Sequence, residues 1–153
     1  MLQYKDGGLR NVWLANGYEV RQTRHGEAVS IRDQEGLTRA ICLALTRKTG
    51  HLTGVEFRYI RSAGMLVSQS ALATQLGVDV QTVARWEKTG KVPRWADKLM
   101  RLLYAAHAEG NVPIRKAMER ASQVERLMHQ KIVVQESRAG WESTIEDCDA
   151  MCA

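Results

Sequence analysis

Polar side chains between Ser68 and Glu87 fall at the ends and on the outer face of two short segments whose apolar residues recur at helical spacing. Ser68 is placed to cap a helix N-terminus, where free backbone N–H groups and the helix dipole favour a phosphate. Gln69, one position inside, can reach the same phosphate or an adjacent base edge. Gln81 and Arg85 stand four apart, so on a helix one lies above the other. Gln can hydrogen-bond adenine at N6 and N7, and Arg can grip guanine O6 and N7 through two parallel bonds. The methyl groups of Val80 and Thr82 can meet that of thymine. Lys88, Lys91 and Arg94 follow at once, and such a cluster suits phosphate contacts, which position a protein on a duplex without reading its sequence.

These side chains need two helices held at a fixed angle. Leu72, Leu76 and Val83 supply the apolar contacts, and Ala73 is small enough to let the next helix come close. Gly77 ends the first helix because it accepts the left-handed conformation, and Asp79 caps the second. Two short helices joined by a tight turn result, at roughly 68–76 and 79–88. With Val78 and Val83 directed inward, the second helix turns Val80, Gln81, Thr82 and Arg85 outward. Trp86 is expected in the core, and Glu87 is expected to pair with Arg58 or Arg61 instead of facing a phosphate.

The rest of the chain must build a platform for this pair. Residues 10–32 alternate apolar and polar positions, with Asn16-Gly17 and His25-Gly26 as interruptions, and predict a three-stranded antiparallel meander. Arg10, Arg21, Arg24 and Arg32 are expected on its solvated faces. From about residue 36 the period becomes helical: Leu37, Ile41, Ala44 and Leu45 share one face. Further helices are expected from Thr53 towards Gly64 and over 94–108. Pro113 opens a helix whose apolar stripe, Ile114, Met118, Ala121, Val124, Met128 and Ile132, suits a dimer contact, or equally packing onto the protein's own core. Beyond residue 137 the chain looks aperiodic apart from Trp141, and a weakly ordered acidic tail is expected. The regions are thus 1–34 (β-meander), 35–111 (helical domain) and 112–153 (C-terminal helix and tail).

Charge is unevenly spread. Residues 134–153 carry a net −4 against +5 for the whole chain, which leaves +9 on residues 1–133. A basic body suits a polyanionic partner. The cysteines, Cys42, Cys148 and Cys152, are odd in number and form no disulfide framework, so a reducing cytoplasm is expected. Neither a signal peptide nor a membrane-spanning run is visible. His25, His51, His107 and His129 are dispersed, no metal spacing or catalytic constellation can be argued, and neither a metal, a cofactor nor an enzymatic activity is expected.

The run Ser68 to Glu87 resembles the Cro/C1-type, or Xre-like, helix-turn-helix family, whose pattern S-Q-x-x-L-A-x-x-L-G-V-x-x-x-T-V-x-R-W-E it matches. The flanks, Leu52-Thr53-Gly54-Val55-Glu56-Phe57-Arg58 and Val92-Pro93, together with Gly8 to Leu14 and Asn16-Gly17-Tyr18, are similar to antitoxins of the MqsA kind. The resemblance implies a mainly α fold with a small N-terminal antiparallel sheet: a five-helix lambda-repressor-like domain plus a C-terminal helix. It further implies a homodimeric repressor of double-stranded DNA with Gln81 and Arg85 at base-reading positions, or an antitoxin that also binds a toxin protein. Two features depart from the pattern. The N-terminal region lacks the zinc-binding cysteines of the MqsA kind, and the link from Arg61 to Ser68 is one residue longer than usual.

Overall fold

A computed structural model describes residues 1–122 and 130–147. The chain divides into two compact units, Met1–Ser122 and Gln123–Ala153. About half of it is helical, with six α-helices and three two-stranded antiparallel sheets among the described residues.

The first unit opens with two ribbons in place of the expected meander. Strand β1 (Leu2–Tyr4) pairs with β2 (Val12–Leu14), and β3 (Tyr18–Thr23) pairs with β4 (Gly26–Ile31). β2 and β3 do not pair, so Asn16-Gly17 is a bend between ribbons and not a hairpin turn. The first ribbon is anchored by its apolar residues: Tyr4, Leu9 and Leu14 are buried in the common core. The second is mostly exposed, and Glu19 takes both Arg21, at 3.1 Å, and Arg32, at 3.8 Å, as surface ion pairs.

Helix α1 (Gln34–Arg47) is capped by Asp33, whose carboxylate accepts from the Gly36 amide. Helix α2 (Gly54–Tyr59) starts at a reciprocal cap: Thr53 Oγ1 accepts from the Glu56 amide and Glu56 Oε2 accepts from the Thr53 amide. It continues into a wide π-type turn, Ile60–Gly64. Such a turn takes up one residue more than an α turn. Two short helices follow, α3 (Gln69–Leu76) and α4 (Val80–Thr89), then α5 (Arg94–Ala108) and α6 (Val112–Ser122).

Phe57, Ile60, Leu72, Val83 and Met100 fill the centre of the core. Phe57 meets Trp86 edge-on at 6.1 Å, and Trp86 meets Trp95 in the same manner at 5.6 Å. Among the described residues, three charged ones are buried with them: Glu56, Arg61 and Asp97. A buried charge is tolerated when it is paired and hydrogen-bonded, and each of these is. Glu56 holds Lys48 at 2.7 Å and Asn11 at 3.0 Å, tying the first ribbon to α2. Asp97 accepts from the Leu52 amide at 2.7 Å and from Arg101 Nε at 2.6 Å. Arg101 then donates to the carbonyls of Thr46, Lys48 and Gly50, closing the C-terminal end of α1.

Ile114 and Met118 of α6 are half-buried, and Met118 packs on the core as the helix lies against α3 and α5. The apolar stripe does not run on along one helix to Ile132, which sits in a strand. Val124 and Met128 lie outside the described residues.

The second unit contains a hairpin of β5 (Gln130–Ser137) and β6 (Gly140–Asp147). Residues 140–147 are therefore a paired strand and not the aperiodic tail expected. Ile132, Val134, Trp141 and Ile145 share one face by strand alternation and register, and all four are exposed. Its two-residue loop repeats the chemistry of the β3–β4 loop. Thr23 donates to the Gly26 carbonyl and accepts from the His25 amide; Ser137 donates to the Gly140 carbonyl and accepts from the Ala139 amide.

Candidate nucleic-acid interface

The geometry of α3 and α4 follows from their caps. Ser68 Oγ accepts from the Ala71 amide at 3.0 Å, and Asp79 Oδ1 accepts from the Gln81 amide at 2.7 Å. Between them Gly77 adopts φ 68°, a left-handed conformation that glycine enters without a steric penalty. The Val78 amide then returns to the Ala73 carbonyl at 3.0 Å, so the chain reverses within three residues.

Behind α4 the contacts are dense. Val83 and Trp86 are buried, and α2 crosses so closely that a Cβ on Gly54 would collide with the backbone carbonyls of Trp86 and Glu87. Glu87 is locked from two sides. Arg61 donates through Nε to Oε1 at 2.5 Å and through Nη2 to Oε2 at 3.1 Å, and Gln69 Nε2 donates to Oε2 at 2.8 Å. The third guanidinium nitrogen, Nη1, reaches the Val67 carbonyl at 2.8 Å. Arg61, and not Arg58, is thus the partner of Glu87, and one ion pair joins the π-type turn after α2, the entry to α3 and α4.

In front of α4 the picture reverses. Val80, Gln81 and Arg85 are exposed, while Thr82 is half-buried at the edge of the same face. Backbone amides aside, Gln81 and Arg85 spend no side-chain donor or acceptor on the described residues, so both heads are available to an external partner. Of the residues expected to hold phosphate, Ser68, Lys88, Lys91 and Arg94 are exposed and Gln69 is half-buried. Gln69 spends one of its two amide hydrogens on Glu87, which holds its head there and leaves one N–H and the carbonyl oxygen.

Of the three cations that follow this face, Lys88 and Arg94 line different depressions. Lys88 borders a cleft with Arg58 between α2 and α4, whereas Arg94 borders a separate depression with His51, Asp97 and Lys98. Arg58 is the residue that the sequence underweighted. Its place beside Lys88 could be read only once Glu87 had chosen Arg61.

Electrostatics reinforce the platform. Burial pushes the Glu56 carboxyl up, but bonds from Lys48, the Thr53 amide and Asn11 outweigh it and hold the group below its ordinary value. Asp97 behaves likewise: burial raises it, and Arg101, the Leu52 amide and His51 bring it down further than burial lifts it. Burial pushes the Cys42 thiol up to about 11 against a smaller opposing hydrogen bond with Tyr104.

The geometry defines a mainly helical protein with small antiparallel sheets that presents one polar helix face from a rigid support. No family model, no curated protein and no solved structure matches the chain. No helix among the described residues is long and apolar enough to cross a membrane.

Proposed function

We propose that this protein is a sequence-specific regulator of transcription that binds double-stranded DNA through a Cro/C1-type helix-turn-helix formed by α3 and α4. It acts as a homodimeric repressor on a partly palindromic operator, without a catalytic step. The observation that carries the reading is the contrast across α4: Val83 and Trp86 are buried behind it, while Gln81 and Arg85 stand four apart in front, exposed and uncommitted. A helix supported in this way can enter a major groove with those side chains at the base edges. Two copies would place two such helices about 34 Å apart, one turn of the duplex.

The decisive experiment compares binding to the DNA upstream of the protein's own gene with binding to a scrambled duplex, for the wild type, Gln81→Ala and Arg85→Ala. Wild-type preference for its own sequence, eroded by about 1–3 kcal/mol in each variant, supports the assignment. Equal binding of all duplexes by all three proteins refutes it.

A second reading, as an antitoxin that also binds a toxin protein, is favoured by the hairpin of the second unit. Ile132, Val134, Trp141 and Ile145 form an exposed apolar face, and a two-stranded sheet with such a face suits a protein partner. Co-purification of a toxin that is lost in Trp141→Ser would support it.

A further inference from the structure

We propose that the cleft between α2, α4 and the turn at Gly7–Gly8 receives a backbone phosphodiester of the bound duplex, with Arg58 and Lys88 as its cationic walls. This rests on the assignment of α4 as the reading helix. The cleft has a volume of about 580 Å³ and opens beside the reading face, since Ala84 and Lys88 line it and each stands three residues on from a reader, Gln81 and Arg85, on the neighbouring row of the helix. Its charge balance favours an anion. Arg61 already neutralises Glu87, the single carboxylate lining the cleft, while Arg58 and Lys88 make no side-chain hydrogen bond or ion pair with the described residues.

Its third wall is rigid. Gly7 and Gly8 have φ of 71° and 82°, and the turn is pressed onto α2 so tightly that a Cβ on Gly7 would overlap the Tyr59 ring at 2.5 Å. A Cβ on Gly8 would stand 3.3 Å from Val55. Leu9, next in sequence, is buried in the core and fixes the turn from its other end. Two cations on separate helices, a small residue between them and an immobile wall opposite suit a tetrahedral anion carried on a chain. Arg58 thereby becomes a DNA contact, and the N-terminal ribbon becomes part of the site.

The test uses the whole chain with a duplex that the wild type binds and a scrambled duplex, with affinities measured across a salt series for Arg58→Gln, Lys88→Gln, Arg58→Lys and, as control, Arg21→Gln on the β3–β4 ribbon. Each phosphate contact contributes about 0.9 to the slope of log affinity against log salt. Arg58→Gln and Lys88→Gln are each expected to lower that slope by about one and to weaken cognate and scrambled duplexes by the same factor, about tenfold near 0.1 M salt. Arg58→Lys is expected to keep most of the affinity, and Arg21→Gln all of it. Thermal melts establish that these surface variants stay folded.

If the wild type binds duplex while Arg58→Gln leaves affinity and slope unchanged, the cleft assignment falls and the reading helix stands. If the wild type binds no duplex, both fall together. Phosphorus resonance broadening of inorganic phosphate that depends on Arg58, with duplex affinity indifferent to it, would identify the anion as free phosphate and overturn the strand assignment.

Discussion

Arg61 and Glu87 face each other through two parallel hydrogen bonds, 2.5 and 3.1 Å long, with both side chains buried. Removing one partner strands the other in the interior, which costs about 3–5 kcal/mol, whereas replacing both with apolar residues of similar volume is close to neutral. Glu87→Ala is therefore expected to lower the unfolding free energy by that amount, and the pair Arg61→Met with Glu87→Leu by much less. Urea unfolding of the two variants measures the difference; equal losses would show that the pair works through its geometry on α4 more than through its charge.

The turn between α3 and α4 makes a sharper demand on one backbone angle. Gly77 stands at φ 68° with open space around it, so a methyl group there meets no neighbour and only the conformation is penalised. Gly77→Ala is expected to cost about 1–2 kcal/mol, and Gly77→Asn less, because Asn tolerates the left-handed region. A loss from Ala no larger than that from Asn in thermal or urea melts would contradict the argument.

Acid should dismantle the platform in a defined window. Glu56 and Asp97 both have folded values below their ordinary ones. The stability they contribute is complete above the unfolded carboxylate range, about pH 4, and is lost as pH falls through the folded values. Glu56→Gln and Asp97→Asn are expected to be less stable at neutral pH and to show a flatter decline below about pH 4. A wild-type stability unchanged between neutral pH and pH 3 would sink this account.

Cys42 is expected to be inert. With its thiol pushed up to about 11 and its side chain buried, it holds only roughly a thousandth of its population as thiolate at pH 8. Alkylation followed by peptide mapping should label the Cys42 peptide slowly in native protein and fast in denaturant.

What the sequence made legible was local and covalent in origin. The caps at Ser68 and Asp79 and the left-handed Gly77 are each set by one residue's own conformational preference, and all three occur as expected. Partner choice was less legible. Arg58 and Arg61 were equal candidates for Glu87, and only the direction of α2, settled by Gly54 against α4, selects Arg61. The hairpins were legible only in part: β3 and β4 pair about the expected break at His25-Gly26, whereas Asn16-Gly17 joins two separate ribbons and the β5–β6 pair was missed. Asn16-Gly17 looked like the tightest turn, yet the actual turns use Thr23 and Ser137 hydroxyls bridging to Gly26 and Gly140, a Ser/Thr-Arg-x-Gly pattern whose glycine follows the loop. Read as that pattern, Ser137 to Gly140 would have revealed the second strand of the C-terminal hairpin.

Arg101 also bears on the order of assembly. Its guanidinium joins carbonyls 51 to 55 residues away, so these bonds close a long loop and are paid for late in chain-entropy terms. The α3–α4 pair needs no such closure, being complete within about twenty residues of chain. A nucleus built on the nearer contacts leaves the Arg101 bonds to form after the rate-limiting step, on the native side of the barrier. Arg101→Gln should then hasten unfolding while leaving the refolding limb of the chevron in place, which makes this arginine a latch on the lifetime of the native state.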